Sequence, residues 1–261
     1  MSSSLAIAAE RANQPAEDYF DLMAEVAATH WWYRGRRDWL AQELGPYLTS
    51  GAVAVDVGCG TAESVETLRS LGAAAVVGTD VSLQALGHAR RRDPAPPVLE
   101  AAAENLPFAN GVADVVTSMD VIEHLDDDVV ALREYRRVLR PGGILFVTVP
   151  AYQFLWSAHD VRAAHRRRYR SQQLRRSVEA AGFVVERIGY YYSFLVPPAV
   201  LLRRTPLRRL VKDTDEETSA AHPGMDRLLY LLASAERCWV RRTGIRPPFG
   251  LSILCLASKP A

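Results

Sequence analysis

Val53-Ala54-Val55-Asp56-Val57-Gly58-Cys59-Gly60-Thr61-Ala62-Glu63 is the stretch that decides the fold. Its short apolar, β-branched run predicts a strand buried on both faces. Gly58 and Gly60 predict a tight turn, and Glu63 opens a helix. A strand–glycine–helix unit of this kind brings the backbone N–H groups of Gly58, Cys59 and Gly60 close to a nucleotide-like ligand. Asp56 narrows the ligand. A carboxylate beside the turn repels a pyrophosphate and attracts a cationic group. Ala62 and Glu63 also stand where the dinucleotide fingerprint has its third glycine.

The next segments extend the pattern. Residues 74–80 predict a second strand ending in an acid. Asp80 follows Gly60 by 20 residues, the spacing at which an acid reaches ribose hydroxyls. Ser82 caps a helix running through Leu83, Leu86 and Ala89. Leu106-Pro107-Phe108 closes a third strand region, and residues 114–119 form a fourth strand. The Pro141-Gly142-Gly143 turn leads into a fifth, residues 144–149. A ligand with ribose, sulfonium and ammonium groups but no phosphate suits both acids, and S-adenosylmethionine (SAM) is such a ligand.

Over roughly residues 30–190 this order of blocks resembles the class I SAM-dependent methyltransferases. The resemblance implies an α/β fold: a Rossmann-like seven-stranded sheet with helices on both faces. Its sixth strand would be residues 183–192 and its antiparallel seventh residues 251–258. It implies SAM contacts from Asp56, Gly58, Cys59, Gly60, Asp80, Val81 and Met119. Many relatives place an aspartate after the third strand to read the adenine amino group. Here Ala102 stands there, which leaves Glu104, Asn105, the backbone near Ala103, or packing against Val81, Leu83 and Leu106.

The chain has 261 residues, 49% hydrophobic and 23% charged, enough for one large α/β domain with additions. A net charge of +1 carries no polyelectrolyte signature, so no nucleic-acid partner is expected. Three cysteines form no disulfide framework and point to a reducing, cytoplasmic setting. Residues 1–15 read as a disordered lead rather than a signal peptide.

Residues 16–49 predict two helices around His30-Trp31-Trp32-Tyr33-Arg34-Gly35-Arg36-Arg37. As a core contact, Trp31 and Trp32 only pack the helices. As a cover, the segment lies over the cofactor, with Tyr33 toward the acceptor. The resemblance then makes Arg37 or Arg34 the partner of the SAM carboxylate. About 58 residues separate the last two strands, where minimal relatives have a hairpin. Residues 193–249 therefore predict a helical lid or oligomer contact. They comprise an apolar stretch, a basic block, an acidic loop at 213–217 and a helix over 225–242. A homo-oligomer through this insert is one expectation. Peripheral membrane contact is a less favoured one, because apolar and basic residues alternate there in blocks.

Methyl transfer is a displacement at carbon that also moves one proton. Asp120-Val121-Ile122-Glu123-His124 follows the fourth strand, at the sheet edge where ligands collect. One helical turn would bring Asp120, Glu123 and His124 to one side, a set able to hold a divalent cation such as Mg²⁺. Beyond strand five, His159 and His165 are candidate bases. Arg166 and Arg168 are candidate anion forks, beside Tyr169. Trp156 with Tyr191 and Tyr192 suggests an aromatic wall, with Tyr191 also a catalytic candidate. Together these suit a small, amphiphilic, anionic acceptor. The motif set resembles metal-assisted O-methyltransferases of ubiquinone biosynthesis and of small-RNA 2′-O-methylation, which implies Asp120, Glu123, His124 and His165 as metal ligands. Asp120 departs from the glutamate typical there. The leading expectation is a SAM-dependent methyltransferase of specialised metabolism. The alternatives are a C-methyltransferase acting on a prenyl diphosphate and a non-catalytic SAM-binding partner protein.

Overall fold

The computed structural model describes residues 19–204 and 223–261. The lead over 1–15 and the acidic loop over 213–217 lie outside the described residues. Seven strands form one sheet: β1 (Val53–Val57), β2 (Ala75–Asp80), β3 (Val98–Glu100), β4 (Ala113–Met119), β5 (Leu139–Pro150), β6 (Val184–Tyr191) and β7 (Ser252–Ser258). Their order is β3-β2-β1-β4-β5-β7-β6. Strands β1 to β5 pair in parallel, and β7 runs antiparallel between β5 and β6. The switch in strand order falls between β1 and β4, so ligands collect beyond their C-terminal ends.

The central strands are apolar because both faces are covered. One face packs Val55, Val57, Val116, Val147 and Cys255 under α5 (Asp128–Val138) and α7 (Ser171–Ala180). The other packs Ala54, Val76, Val115, Phe146 and Leu254 under α2 (Trp31–Leu44), α3 (Glu63–Ser70) and α4 (Leu83–Arg90). Local signals place the helix starts. Ser82 Oγ accepts from Ala85 N at 3.2 Å, and Asp127 Oδ1 accepts from Val129 N at 3.0 Å. Such caps each contribute ~1 kcal/mol.

The N-terminal cover is α1 (Tyr19–Val26) and α2. Trp31 and Trp32 are buried, and Trp32 lies 4.8 Å from the Tyr192 ring, centroid to centroid. Gly35 lets α2 sit this close, since a Cβ there would strike the Tyr192 hydroxyl.

The insert contains α8 (Val196–Arg204) and α9 (Pro223–Thr243). Helix α9 packs on the outside of α2. Asp38 accepts from Tyr230 Oη at 3.0 Å and Arg237 Nη2 at 3.1 Å, and Asp226 accepts from Trp31 N at 2.7 Å. Its opposite stripe, Met225, Leu228, Leu232 and Trp239, is exposed. No described helix is long and apolar enough to cross a membrane.

Candidate functional site

One cavity opens beyond the C-terminal ends of β1, β2, β4 and β5, under the N-terminal cover. Gly58, Cys59, Gly60, Asp80, Val81 and Met119 line one part of it. Tyr33, Arg36, Arg37, Asp120, His124, His159, His165 and Arg168 line another.

The glycine turn is built on backbone that side chains resist. Gly58 has φ +68 and Gly60 φ +54, and a Cβ at Gly58 would collide with Val121. Asp80 holds the turn together. Its Oδ2 accepts from Gly60 N and its Oδ1 from Ser82 N, both at 2.8 Å. Asp56 sits behind the turn rather than on the cavity wall. It is 1% exposed and accepts from Thr117 Oγ1 at 2.5 Å and from Ser64 Oγ. Burial pushes its carboxyl up to about 6, against those two hydrogen bonds. The direct contact to a cationic ligand expected of Asp56 is therefore replaced by a clamp joining β1, β4 and α3. Ala101 and Ala103 line the cavity, whereas Glu104 and Asn105 do not. Of the other groups expected at adenine, the backbone near Ala103 and Val81 line the cavity, and Leu83 and Leu106 do not.

The arginine of the cover differs from expectation. Arg37 borders the cavity, but its guanidinium donates to Ala27 O at 2.6 Å and Ala28 O at 3.0 Å. Arg36 is the one that reaches the strand ends, pairing with Asp120 at 2.9 Å and donating to Met119 O at 3.0 Å. Helical spacing was the available signal: Trp32, Tyr33, Arg36 and Arg37 share one face of α2.

The acid–histidine cluster converges. Glu123, His124 and His165 offer ligand atoms within 4.8 Å of one another. His165 Nε2 lies 3.9 Å from Glu123 Oε1, and the His124 and His165 rings are 4.8 Å apart. Glu123 is fully buried, and among the described residues neither carboxylate oxygen has a hydrogen-bond partner. Burial, with the Asp120 charge second, pushes its carboxyl well above the usual carboxylate range. Burial and then His165 push His124 down to about 3. Asp120 does not join them. Its φ of +57 turns its side chain to Arg36 and to Thr148 Oγ1, which removes it from the expected ligand set.

Several expected acceptor contacts are engaged elsewhere. Arg166 pairs with Asp126. Arg168 borders the cavity, yet its guanidinium forks onto buried Asp160 at 2.6 and 2.9 Å. Arg168 is thus engaged within the fold, and Arg166 lies outside the cavity. Tyr169 donates to Asp128 at 2.8 Å, and Tyr192 to Trp32 O at 3.2 Å. Tyr191 packs on Trp39, and Trp156 is half-buried outside the cavity. The aromatic wall expected of Tyr191 and Tyr192 is core packing, because the end of β6 is covered by α2 and α9. None of the described residues of 193–249 lines the cavity; in place of the expected lid, α9 forms an outer layer on α2.

Residues 55–147 match a family described as "Methyltransferase domain". Those residues form a domain of the class I SAM-dependent methyltransferase family. A Mycolicibacterium smegmatis protein named "Probable S-adenosylmethionine-dependent methyltransferase" is 30% identical over 163 residues, 62% of each chain. A ubiquinone biosynthesis O-methyltransferase of Paraburkholderia xenovorans is 34% identical over 136 residues, 50% of this chain and 57% of that one. The chain spans about three-fifths of the length of the curated relatives it matches. Among solved structures, the complex between the Haloferax volcanii Trm112 methyltransferase activator and the putative methyltransferase contains a chain with this methyltransferase fold. It aligns with TM-score 0.60 at 21% identity, covering 92% of this chain and 97% of that one.

Proposed function

We propose that this class I methyltransferase binds SAM and transfers its methyl group to an oxygen of a small-molecule acceptor held in the same cavity, with His165 taking the acceptor's proton. One observation carries the reading: the glycine turn and Asp80 share a cavity with His165, whose Nε2 lies 3.9 Å from buried Glu123. The acceptor's lone pair bonds to the methyl carbon, and the carbon–sulfur bond breaks. That electron pair neutralises the sulfonium, and the hydroxyl proton passes to His165 Nε2. An oxygen acceptor needs such a base, and the relative named for ubiquinone biosynthesis is an O-methyltransferase. The arginines on which a prenyl diphosphate reading depends are ion-paired within the chain, which favours a neutral or weakly charged phenolic acceptor of specialised metabolism.

Glu123 favours a second component. A buried carboxylate with both oxygens unpartnered is costly unless it is protonated or faces a cation. One carboxylate and two imidazoles fit a transition-metal ion better than Mg²⁺, and Glu123, His124 and His165 would hold it. A bound cation would lower the pKa of an acceptor hydroxyl. Glu123 then supplies the negative charge, and His124 and His165 serve as neutral nitrogen ligands.

The test is SAM consumption across a panel of phenols and acidic aromatics, with and without EDTA. Turnover that survives EDTA and is lost in His165→Ala supports the direct base. Turnover lost with EDTA and restored by Mn²⁺ or Zn²⁺ supports the cation. SAM binding with no turnover on any acceptor would oppose catalysis and favour a SAM-binding partner protein.

A further inference from the structure

The side chain within hydrogen-bond distance of the His165 imidazole among the described residues is Asp160, to which the sequence assigned no role. Asp160 lies in α6 (Ala158–Arg162) and is fully buried. Its two oxygens divide their work. Oδ2 accepts from Ser157 N at 2.7 Å, Ser157 Oγ at 3.1 Å and Arg168 Nη2 at 2.9 Å, which closes the helix start. Oδ1 accepts from Arg168 Nε at 2.6 Å and meets His165 Nδ1 at 2.9 Å. Helix capping accounts for Oδ2 alone. The backbone serves the second contact: Ala164 adopts φ +57, and His165 N donates to Asp160 O at 2.8 Å, folding the imidazole back over the carboxylate.

We infer that Asp160 is a positioning residue that fixes His165 as the Nδ1–H tautomer and so presents a bare Nε2 toward Glu123 and the cavity. The inference rests on the reading of His165 as the group that takes the proton or holds a cation. Its chemistry is simple. An ionised carboxylate only accepts hydrogen bonds, so the nitrogen against it must carry hydrogen. In a neutral imidazole the other nitrogen then carries the lone pair. Arg168 keeps Asp160 ionised. Two guanidinium nitrogens, at 2.6 and 2.9 Å, face its two oxygens and leave no room for a carboxyl proton there. The bare Nε2 serves equally as a base and as a metal ligand, whose second nitrogen commonly donates to a carboxylate.

The tautomer is read directly by long-range ¹H–¹⁵N correlation of the imidazole nitrogens at pH 8, in EDTA, with His165 assigned from its loss in His165→Gln. The wild-type protein should show hydrogen on Nδ1. Hydrogen on Nε2 would overturn the inference with no variant needed. In Asp160→Ala, Nδ1 loses its acceptor, and the ring returns to the Nε2–H form that a free imidazole favours. The tautomer should invert, and kcat should fall on the order of 10²–10⁴-fold, the usual share of a proton-transfer group, with KM for SAM little changed. A variant that keeps hydrogen on Nδ1 would also overturn the inference. Unaltered turnover in His165→Ala would sink the base role of His165 instead, while the tautomer readout still decides the role of Asp160.

Discussion

Arg36 ties the N-terminal cover to the end of β4: its Nη2 lies 2.9 Å from Asp120 Oδ2 and donates to Met119 O at 3.0 Å. One guanidinium thus holds a side chain and the main chain of the turn beside the cofactor region. Arg36→Met should strand half-buried Asp120 without its cation and destabilise the fold by ~1–3 kcal/mol. Arg36→Lys should recover only part of this, because an ammonium lacks the planar fork. Urea unfolding gives the stability, and calorimetry should show SAM affinity falling in the same order.

Gly58→Ala tests the turn. The substitution meets Val121 and also demands φ +68 of a residue with a Cβ. The left-handed conformation alone costs about 1–2 kcal/mol. The double variant Gly58→Ala with Val121→Ala should therefore recover the collision part of the lost stability and leave the backbone part. Full recovery in thermal unfolding would show that φ does not matter here.

Asp80→Ala should weaken SAM binding by ~1–3 kcal/mol, for a lost pair of ribose hydrogen bonds. It should also loosen the turn, since Gly60 N and Ser82 N lose their acceptor. Asp80→Asn keeps one acceptor oxygen and should lose less of both. Titration calorimetry that finds SAM affinity unchanged in Asp80→Ala would remove Asp80 from the ribose site.

Asp56 sets a pH dependence of opposite sign to the usual carboxylate. Burial raises its folded pKa to about 6, so the folded chain holds the proton more tightly than the unfolded chain. Its favourable contribution is full below about pH 4, where both states are protonated. It declines as pH rises to about 6 and is flat above that, a loss on the order of 3 kcal/mol across the window. Asp56→Asn should remove this slope. The difference in unfolding free energy between wild type and variant, followed from pH 4 to pH 7, checks it, and a difference constant with pH would refute it.

The sequence was enough for strands β1, β2, β4 and β5, the glycine turn, the cap at Ser82 and the two cover helices, because these depend on neighbours in the chain; the third strand, expected to close at Leu106-Pro107-Phe108, lies instead at Val98–Glu100. Apolar runs, glycines and capping side chains act over a few residues. It was also enough to bring Glu123, His124 and His165 to one edge, since strand order dictates where β4 and β5 end. The partners of buried charges were decided only by the tertiary structure. Arg36 rather than Arg37 meets the strand ends, Asp120 leaves the ligand set, and Asp160 engages both Arg168 and His165. Those choices depend on which groups a closed core leaves unpaired, and a desolvated charge takes the nearest opposite charge whatever its separation along the chain. Burial of Tyr191 and Tyr192 has the same origin. Their alternation on β6 was legible, but α2 covering that end of the strand was not.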